Sequence, residues 1–256
     1  MKLLTILLIT FSSFCFAQSS GTIYYTKTIN DGFSPIQKDI NYKIFFKDQK
    51  SLELGIPKKD LKSDESFTNV GENEFSKKMI IPTGDGSIKF LYKNYQTNNL
   101  LYTDNISIKY YYITDTLDNF NWKITKEREK IQKYNCTKAT TTFRGRSYTA
   151  WFTEEIPLRF GPWKFGGLPG LIIKLEDDQK HYVYELTGLD LIPLKNDAEV
   201  SVPKQYANQS PQTYSSFREI YKTKLSDIEK QGRVTSQNGN LTSTSSRKLP
   251  QKMEKY

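Results

Sequence analysis

From Gly21 to about Thr153 the apolar residues recur at every second position, the repeat of half-buried strands. Residues 22–29 are β-branched and aromatic, and Asn30-Asp31-Gly32 closes the run with turn chemistry. Residues 40–46 alternate before thickening into Phe45-Phe46, and 51–54 continue after a short turn, which predicts a hairpin. Residues 55–77 are polar and aperiodic and read as a long, disordered surface loop. Further strands are predicted at 78–81, 87–95, 100–103 and 106–114, then at 121–125 and 130–134. Pro82-Thr83-Gly84-Asp85-Gly86 and Asn98-Asn99 supply turns among them. Strands this closely spaced, with no helix between them, predict an antiparallel meander rather than a parallel α/β sheet.

The second half keeps the strands but changes their connections. Residues 136–143 and 147–153 form a predicted hairpin about Arg144-Gly145-Arg146. Ile156-Pro157 leaves the sheet, and Gly161-Pro162 with Gly166-Gly167-Leu168-Pro169-Gly170 let the backbone double back. This reads as a compact crossover that inserts Leu168, Leu171 and Trp163 into the core. Strands follow at 170–175 and 181–189, joined by the polar loop 176–180. A helix is predicted over 214–231, where Phe217, Ile220, Tyr221, Leu225 and Ile228 fall at helical spacing. Ser215 or Ser216 caps it and Gly232 stops it. The fold class is therefore mainly β, a β-rich α+β domain: a curved antiparallel sheet packed against one C-terminal amphipathic helix. Residues 18–232 make one domain, and 233–256 read as a disordered polar tail.

The ends of the chain bear on its address. Lys2 precedes the apolar run 3–11, and Cys15 and Ala17 fit the small-x-small cleavage pattern, so 1–17 reads as a signal peptide with Gln18 opening the mature chain. No later segment is apolar enough to span a membrane. The expected location is the periplasm or the exterior. Cleavage leaves Cys136 alone, so packing rather than a disulfide must hold the fold. The chain carries 37 Lys+Arg against 28 Asp+Glu, a net charge of +9. The lysines are scattered, which fits a solvated surface and gives no nucleic-acid footprint.

Candidate chemistry is sparse. Arg144 and Arg146 flank a turn and are able to grip a carboxylate or phosphate, or to stack on aromatic rings. Trp151 and Trp163 are candidates for lining a ligand site, although buried tryptophans are usually core. Gly170 opens an apparent strand, whereas both the P-loop and the dinucleotide fingerprint open a helix, so no nucleotide site is expected. Cys136 has no base near it in sequence, and no Cys/His/carboxylate cluster has metal-ligand spacing. No catalytic residue, cofactor or metal is assigned.

The hexapeptide Gly167-Leu168-Pro169-Gly170-Leu171-Ile172 reads GLPGLI. Around it stand Cys136-x-x-Ala139, Arg144-Gly145-Arg146, Ala150-Trp151-Phe152-Thr153, Glu155-Ile156-Pro157, Gly161-Pro162 and Phe165. In this ordered set the chain closely resembles the GLPGLI family of exported bacterial proteins, found mainly in the Bacteroidetes. The likeness runs from the export signal through the strand-rich front half. It implies an exported, strand-rich protein and carries over no catalytic residue. The tail departs: similar proteins often end in a short Asn-Pro motif, whereas this chain ends Met253-Glu254-Lys255-Tyr256, which weighs against a tail-mediated role.

The functional expectation is a non-enzymatic envelope protein that binds a protein partner or a small ligand. One alternative is a carrier of a lipophilic molecule held between sheet and helix, which requires a large apolar cavity there. Another is a hydrolase of envelope glycans or peptides, which requires Glu155, Asp177 or Asp178 to meet Arg144 or His181 in one cleft.

Overall fold

A computed structural model of the chain describes residues 20–30, 38–56, 88–117, 120–234 and 252–255. The elements are β1 (Ser20–Ile29), β2 (Lys38–Lys47), β3 (Lys50–Ile56), β4 (Phe90–Asn94), β5 (Asn99–Ile106) and β6 (Lys109–Thr116). They continue as β7 (Lys123–Ile131), β8 (Tyr134–Phe143), β9 (Arg146–Thr153), β10 (Leu171–Asp177), β11 (Tyr182–Asp190), β12 (Gln212–Thr213) and one helix, α1 (Tyr214–Val234). The twelve strands among the described residues form one open sheet in the order β12-β6-β5-β4-β3-β2-β1-β11-β10-β9-β8-β7. Two meanders meet where β1 pairs antiparallel with β11. The mainly β expectation holds, with one difference: the short β12 pairs parallel with β6, so the sheet is mixed.

The departures from the predicted strands have local causes. The run 106–114 is not one strand, because Ser107 adopts a φ of 56° and reverses the chain, so that Ile106 faces Lys109. Alternation continues on both sides of a tight turn, which hides the reversal. The runs at 121–125 and 130–134 largely merge into β7, with a register shift between Ile124 and Arg128. That strand is the sheet's edge, and its Lys-Ile-Thr-Lys-Glu-Arg-Glu-Lys-Ile sequence carries charges that discourage edge-to-edge pairing. The polar loop beyond Ile56 and the strand expected at 78–81 lie outside the described residues.

The two faces of the sheet are covered by different segments. One face, called inner here, carries Ile23, Tyr25, Ile44, Phe46, Leu91, Leu100, Tyr102, Ala150, Leu175 and Tyr184 in strand phase. Helix α1 covers only one end of it, where Phe217 and Tyr221 pack on Leu91, Leu100, Tyr102 and Ile113. Much of the remainder lies under the crossover 154–170 between β9 and β10. Its Phe160 ring stacks on Phe46 and Tyr95, and its Phe165 ring on Tyr148 and Phe120. On the outer face Val200 and Tyr206, from two 3-10 turns, pack on Phe45, Leu52, Leu54 and Phe90.

Burying an irregular crossover obliges its peptide groups to find partners away from water. The inner face supplies them. Lys93 of β4, wholly buried, donates to the carbonyls of Gly161 (2.8 Å) and Phe165 (3.0 Å). Glu53 of β3 accepts the Trp163 N–H at 2.7 Å, and Trp122 Nε1 donates to the Gly166 carbonyl at 3.0 Å. Tyr25 donates to the Ile172 carbonyl at 2.6 Å. Burial lowers the Lys93 amine to about 8 and raises the Glu53 carboxyl, although each group's charge favours the other's.

The hexapeptide follows from the same closeness. Leu168, Leu171 and Ile172 are core residues. A Cβ at Gly170 would stand 1.9 Å from the Thr153 carbonyl oxygen, so no side chain fits without moving backbone. At Gly167 the space is open, but φ is +84°.

Two stability predictions follow. Replacing Gly170 by Ala should cost about 3 kcal/mol or more in denaturant unfolding, as overpacking against backbone does, while Gly167→Ala should cost roughly 1–2 kcal/mol of left-handed strain. Lys93→Met should cost about 3–5 kcal/mol, because it strands Glu53 and two carbonyls, and the double variant Glu53→Gln/Lys93→Met should recover part of that loss. A Lys93→Met chain as stable as the parent would contradict this account of the crossover.

Candidate functional site

The hairpin turn between β8 and β9 places the two sequence-predicted arginines in different surroundings. Arg144 and Gly145 both take positive φ, 45° and 79°, the geometry of a two-residue turn that keeps strand twist. Arg144 thereby reaches across to β6, where it binds both oxygens of Asp115 at 3.0 and 2.8 Å. Its guanidinium lies 3.6 Å from the centre of the Tyr214 ring. Arg146 turns into the core and pairs with Asp177 at 2.8 Å, both groups almost wholly buried. The anion-gripping chemistry expected of these arginines is present, and the anions are the protein's own.

The segment 252–255 corrects the expectation that the whole tail is disordered. Met253 and Glu254 are buried, 6% and 4% exposed. Glu254 accepts from Lys164 at 2.5 Å and from Arg144 at 3.0 Å. Burial alone would raise its pKa, but these two cations outweigh it and hold the carboxyl below the usual carboxylate range. Tyr148 donates to the Met253 carbonyl, and the Lys255 N–H donates to the Arg144 carbonyl at 3.0 Å. Lys252 pairs with Asp104 and donates to the Asn105 carbonyl at 2.7 Å.

Between this segment, the crossover and the sheet lies a cavity of about 370 Å³. Its walls are Lys27 of β1, Tyr42 of β2, Glu53 of β3, Tyr102 and Asp104 of β5, and Tyr182 and Tyr184 of β11. Lys89, Trp163, Lys164, Tyr221 and 252–254 also line it, as do the apolar Ile29, Phe90 and Leu91. Burial raises the phenol pKa of Tyr42, Tyr102 and Tyr184, so these groups stay protonated and can donate.

The charges of the lining do not cancel. Glu254 is paired with Lys164, and Asp104 with Lys252. Glu53 is answered by the Trp163 N–H and by the charge of Lys93 behind it. Lys27 and Lys89 are left over, and neither forms an ion pair among the described residues. The Lys27 amine lies 3.3 Å from Met253 Sδ and 4.9 and 5.3 Å from the ring centres of Tyr182 and Tyr184. Burial lowers its pKa to about 8, against the raising effect of Glu53. Burial lowers that of Lys89 as well.

Of the two tryptophan candidates, Trp163 lines the cavity while half-buried Trp151 packs against the main core. Gly167 and Pro169 of the hexapeptide are exposed, and its other four residues are buried. Of the residues proposed for hydrolysis, Asp177 and His181 come together, and Glu155 stands apart. Asp177 lies beneath the surface with Arg146, its Oδ2 4.0 Å from His181 Nδ1, and neither Asp177 nor His181 lines the cavity. Glu155 instead accepts from Asn135 at 2.9 Å in an exposed position. Cys136 is fully buried, donates weakly to the Tyr134 carbonyl at 3.6 Å, and has its thiol pKa raised by burial. Among the described residues no group of three or more His, Cys, Asp or Glu is arranged to hold a metal.

Sequence reasoning missed Lys27, Glu53, Lys93 and Lys164. A signal for the first three was available: each is a charged residue at the inward phase of an alternating strand, Lys27 beside Tyr25 and Ile29, Glu53 beside Ser51, and Lys93 beside Leu91.

A family described as "Protein of unknown function (Porph_ging)" matches residues 143–174, from the end of β8 through the crossover into β10. No curated protein gives a match. Among solved structures the chain is similar to PNGF-II in its P21 and C2 crystal forms, at 19% and 18% identity, each with a TM-score of 0.48. The similarity covers 79% of this chain but only 33% and 32% of the PNGF-II chains, so the chain spans about a third of their length.

Proposed function

We propose that the chain is an exported member of the GLPGLI family that acts by binding, without catalysis, and that the inner-face cavity takes a small anion. The observation that carries this reading is the ammonium of Lys27, which faces the cavity and forms no ion pair among the described residues. Partial burial of an unpaired charge is costly, and a ligand carboxylate or phosphate would offset that cost. Lys89 offers a second cation, and the phenols of Tyr42 and Tyr184 offer donors to a bound oxygen anion. The lining mixes these amines and phenols with Ile29, Phe90, Leu91, Trp163 and Met253, so it suits an anion that also carries apolar surface, while Phe217 of α1 packs on the sheet beside it.

The pH dependence has a definite sign. A lysine whose folded pKa is about 8 binds fewer protons in the folded than in the unfolded chain between about pH 8 and the ordinary lysine value near 10.4. Stability from this group is therefore greatest above that window and is lost as pH falls through it. Anion binding runs the other way and needs the charged amine.

Isothermal titration with inorganic phosphate and with succinate should show binding that weakens as pH rises through about 8. Lys27→Met should weaken it at least tenfold, on the order of the 1.4 kcal/mol that a tenfold change represents. Binding that ignores both the pH and the substitution would refute the anion site. Native mass spectrometry of protein taken from its own envelope checks the carrier alternative, since a reproducible increment of lipid mass would favour it. N-terminal sequencing of the same material should begin at Gln18, and a chain beginning at Met1 would count against export through a cleaved signal.

A further inference from the structure

The segment 252–255 makes the contacts of a bound peptide. We propose that the socket formed by Arg144 and Lys164 is a peptide-binding site for an extended segment carrying a carboxylate after an apolar residue, and that 252–255 is its intramolecular occupant.

The socket is built without the tail. Asp115 of β6 holds both cations, Arg144 through two oxygens at 3.0 and 2.8 Å and Lys164 at 3.3 Å. The Lys164 amine also donates to Tyr102 at 3.0 Å, and with the segment in place its side chain is 3% exposed. Two cations held by one aspartate leave a single positive charge, and one incoming carboxylate neutralises it. Glu254 supplies that carboxylate in the present structure. The backbone on either side is also read, through Tyr148 at the Met253 carbonyl and through the Lys255 N–H at the Arg144 carbonyl. Met253 fills the apolar position beside it and is 6% exposed. Charge, main chain and an apolar anchor are thus recognised together, as in extended-peptide recognition.

This site is distinct in its ligand from the small-anion site, and its probe differs accordingly. A tethered occupant competes at an effective concentration on the order of millimolar, so the unmodified chain should bind the same sequence in trans only weakly. The experiment titrates a fluorescent synthetic peptide of residues 249–256, LPQKMEKY, against three full-length chains by polarisation. Glu254→Lys sets a like charge against the socket and should expel the cis segment, so this chain should bind the peptide at least tenfold more tightly than the parent. Adding Lys164→Met to Glu254→Lys should abolish that gain, and a peptide with Lys in place of its Glu should not bind. A folded Glu254→Lys chain that ignores the peptide, or one whose binding survives Lys164→Met, overturns the proposal. If Glu254→Lys does not fold, the same titration on Glu254→Gln decides it: this variant keeps the side-chain shape and should gain affinity over the parent, and no gain overturns the proposal. Phosphate titration of the parent and of Lys27→Met, in both of which 252–255 keeps its own contacts, reports on the small-anion site, so failure of one site leaves the other measurable.

Discussion

The unpaired peptide groups of a buried, irregular loop set the terms for the rest of this molecule. A sheet face is normally covered by a helix, which satisfies its own backbone, or by a second sheet, which pairs strand by strand. Here much of the inner face is covered by the crossover 154–170, whose carbonyls and N–H groups point into protein rather than water. Lys93, Glu53 and Trp122 answer them from the sheet or its margin. The close approach that this demands also explains why Gly170 has no room for a side chain beside Thr153. Charge inside the core is therefore a requirement of the architecture. Once charged residues are placed on the inner face, their neighbours feel the same low-dielectric surroundings, and the lowered pKa of Lys27 is a consequence.

The proposed function rests on charge accounting. Every carboxylate in the cavity lining has a partner, whereas the amines of Lys27 and Lys89 form no ion pair among the described residues. The arginines singled out from sequence turn out to be occupied, one by Asp115 and Glu254 and the other by Asp177. Arg146 with Asp177 is best understood as structural, because the pair is sealed between β9 and the β10–β11 turn and Asp177 also accepts the Tyr182 N–H at 2.8 Å. Arg144 differs, since one of its two carboxylates belongs to a segment remote in sequence and tied to the sheet by few residues.

Much of the fold was legible because alternation reports burial directly. The strands at 22–29, 40–46, 136–143, 147–153 and 181–189 sit within one or two residues of those in the structure, and the helix begins at Tyr214 as its spacing requires. Ser107 shows where this kind of reading stops. A two-residue reversal leaves the alternation intact on both sides, so one long strand and a hairpin look alike in sequence. The site was far less legible, because it is assembled from β1, β2, β3, β5, β11, the crossover and the tail, whose adjacency comes from long-range pairing that no local pattern records. Even so, Met253 was a usable sign. With Val234, Leu241, Leu249 and Tyr256 it is one of the few apolar residues in a polar tail, and apolar residues in such segments are candidate points of attachment.

The two proposed sites share a wall, and this has a physical consequence. Met253 Sδ is the nearest polar contact of the Lys27 amine, and 252–254 line the cavity. Removing the segment would enlarge the cavity and admit more water to Lys27, relaxing the desolvation that lowers its pKa. Lys27 would then hold its proton to higher pH, while an anion bound there would gain less from protein surroundings and lose more to screening. Undocking would also expose Arg144 and Lys164, so the open form offers more cations at a higher dielectric and the closed form fewer at a lower one. A compact anion is therefore favoured by the closed form, and an extended acidic peptide, which replaces the tail's own contacts, by the open one.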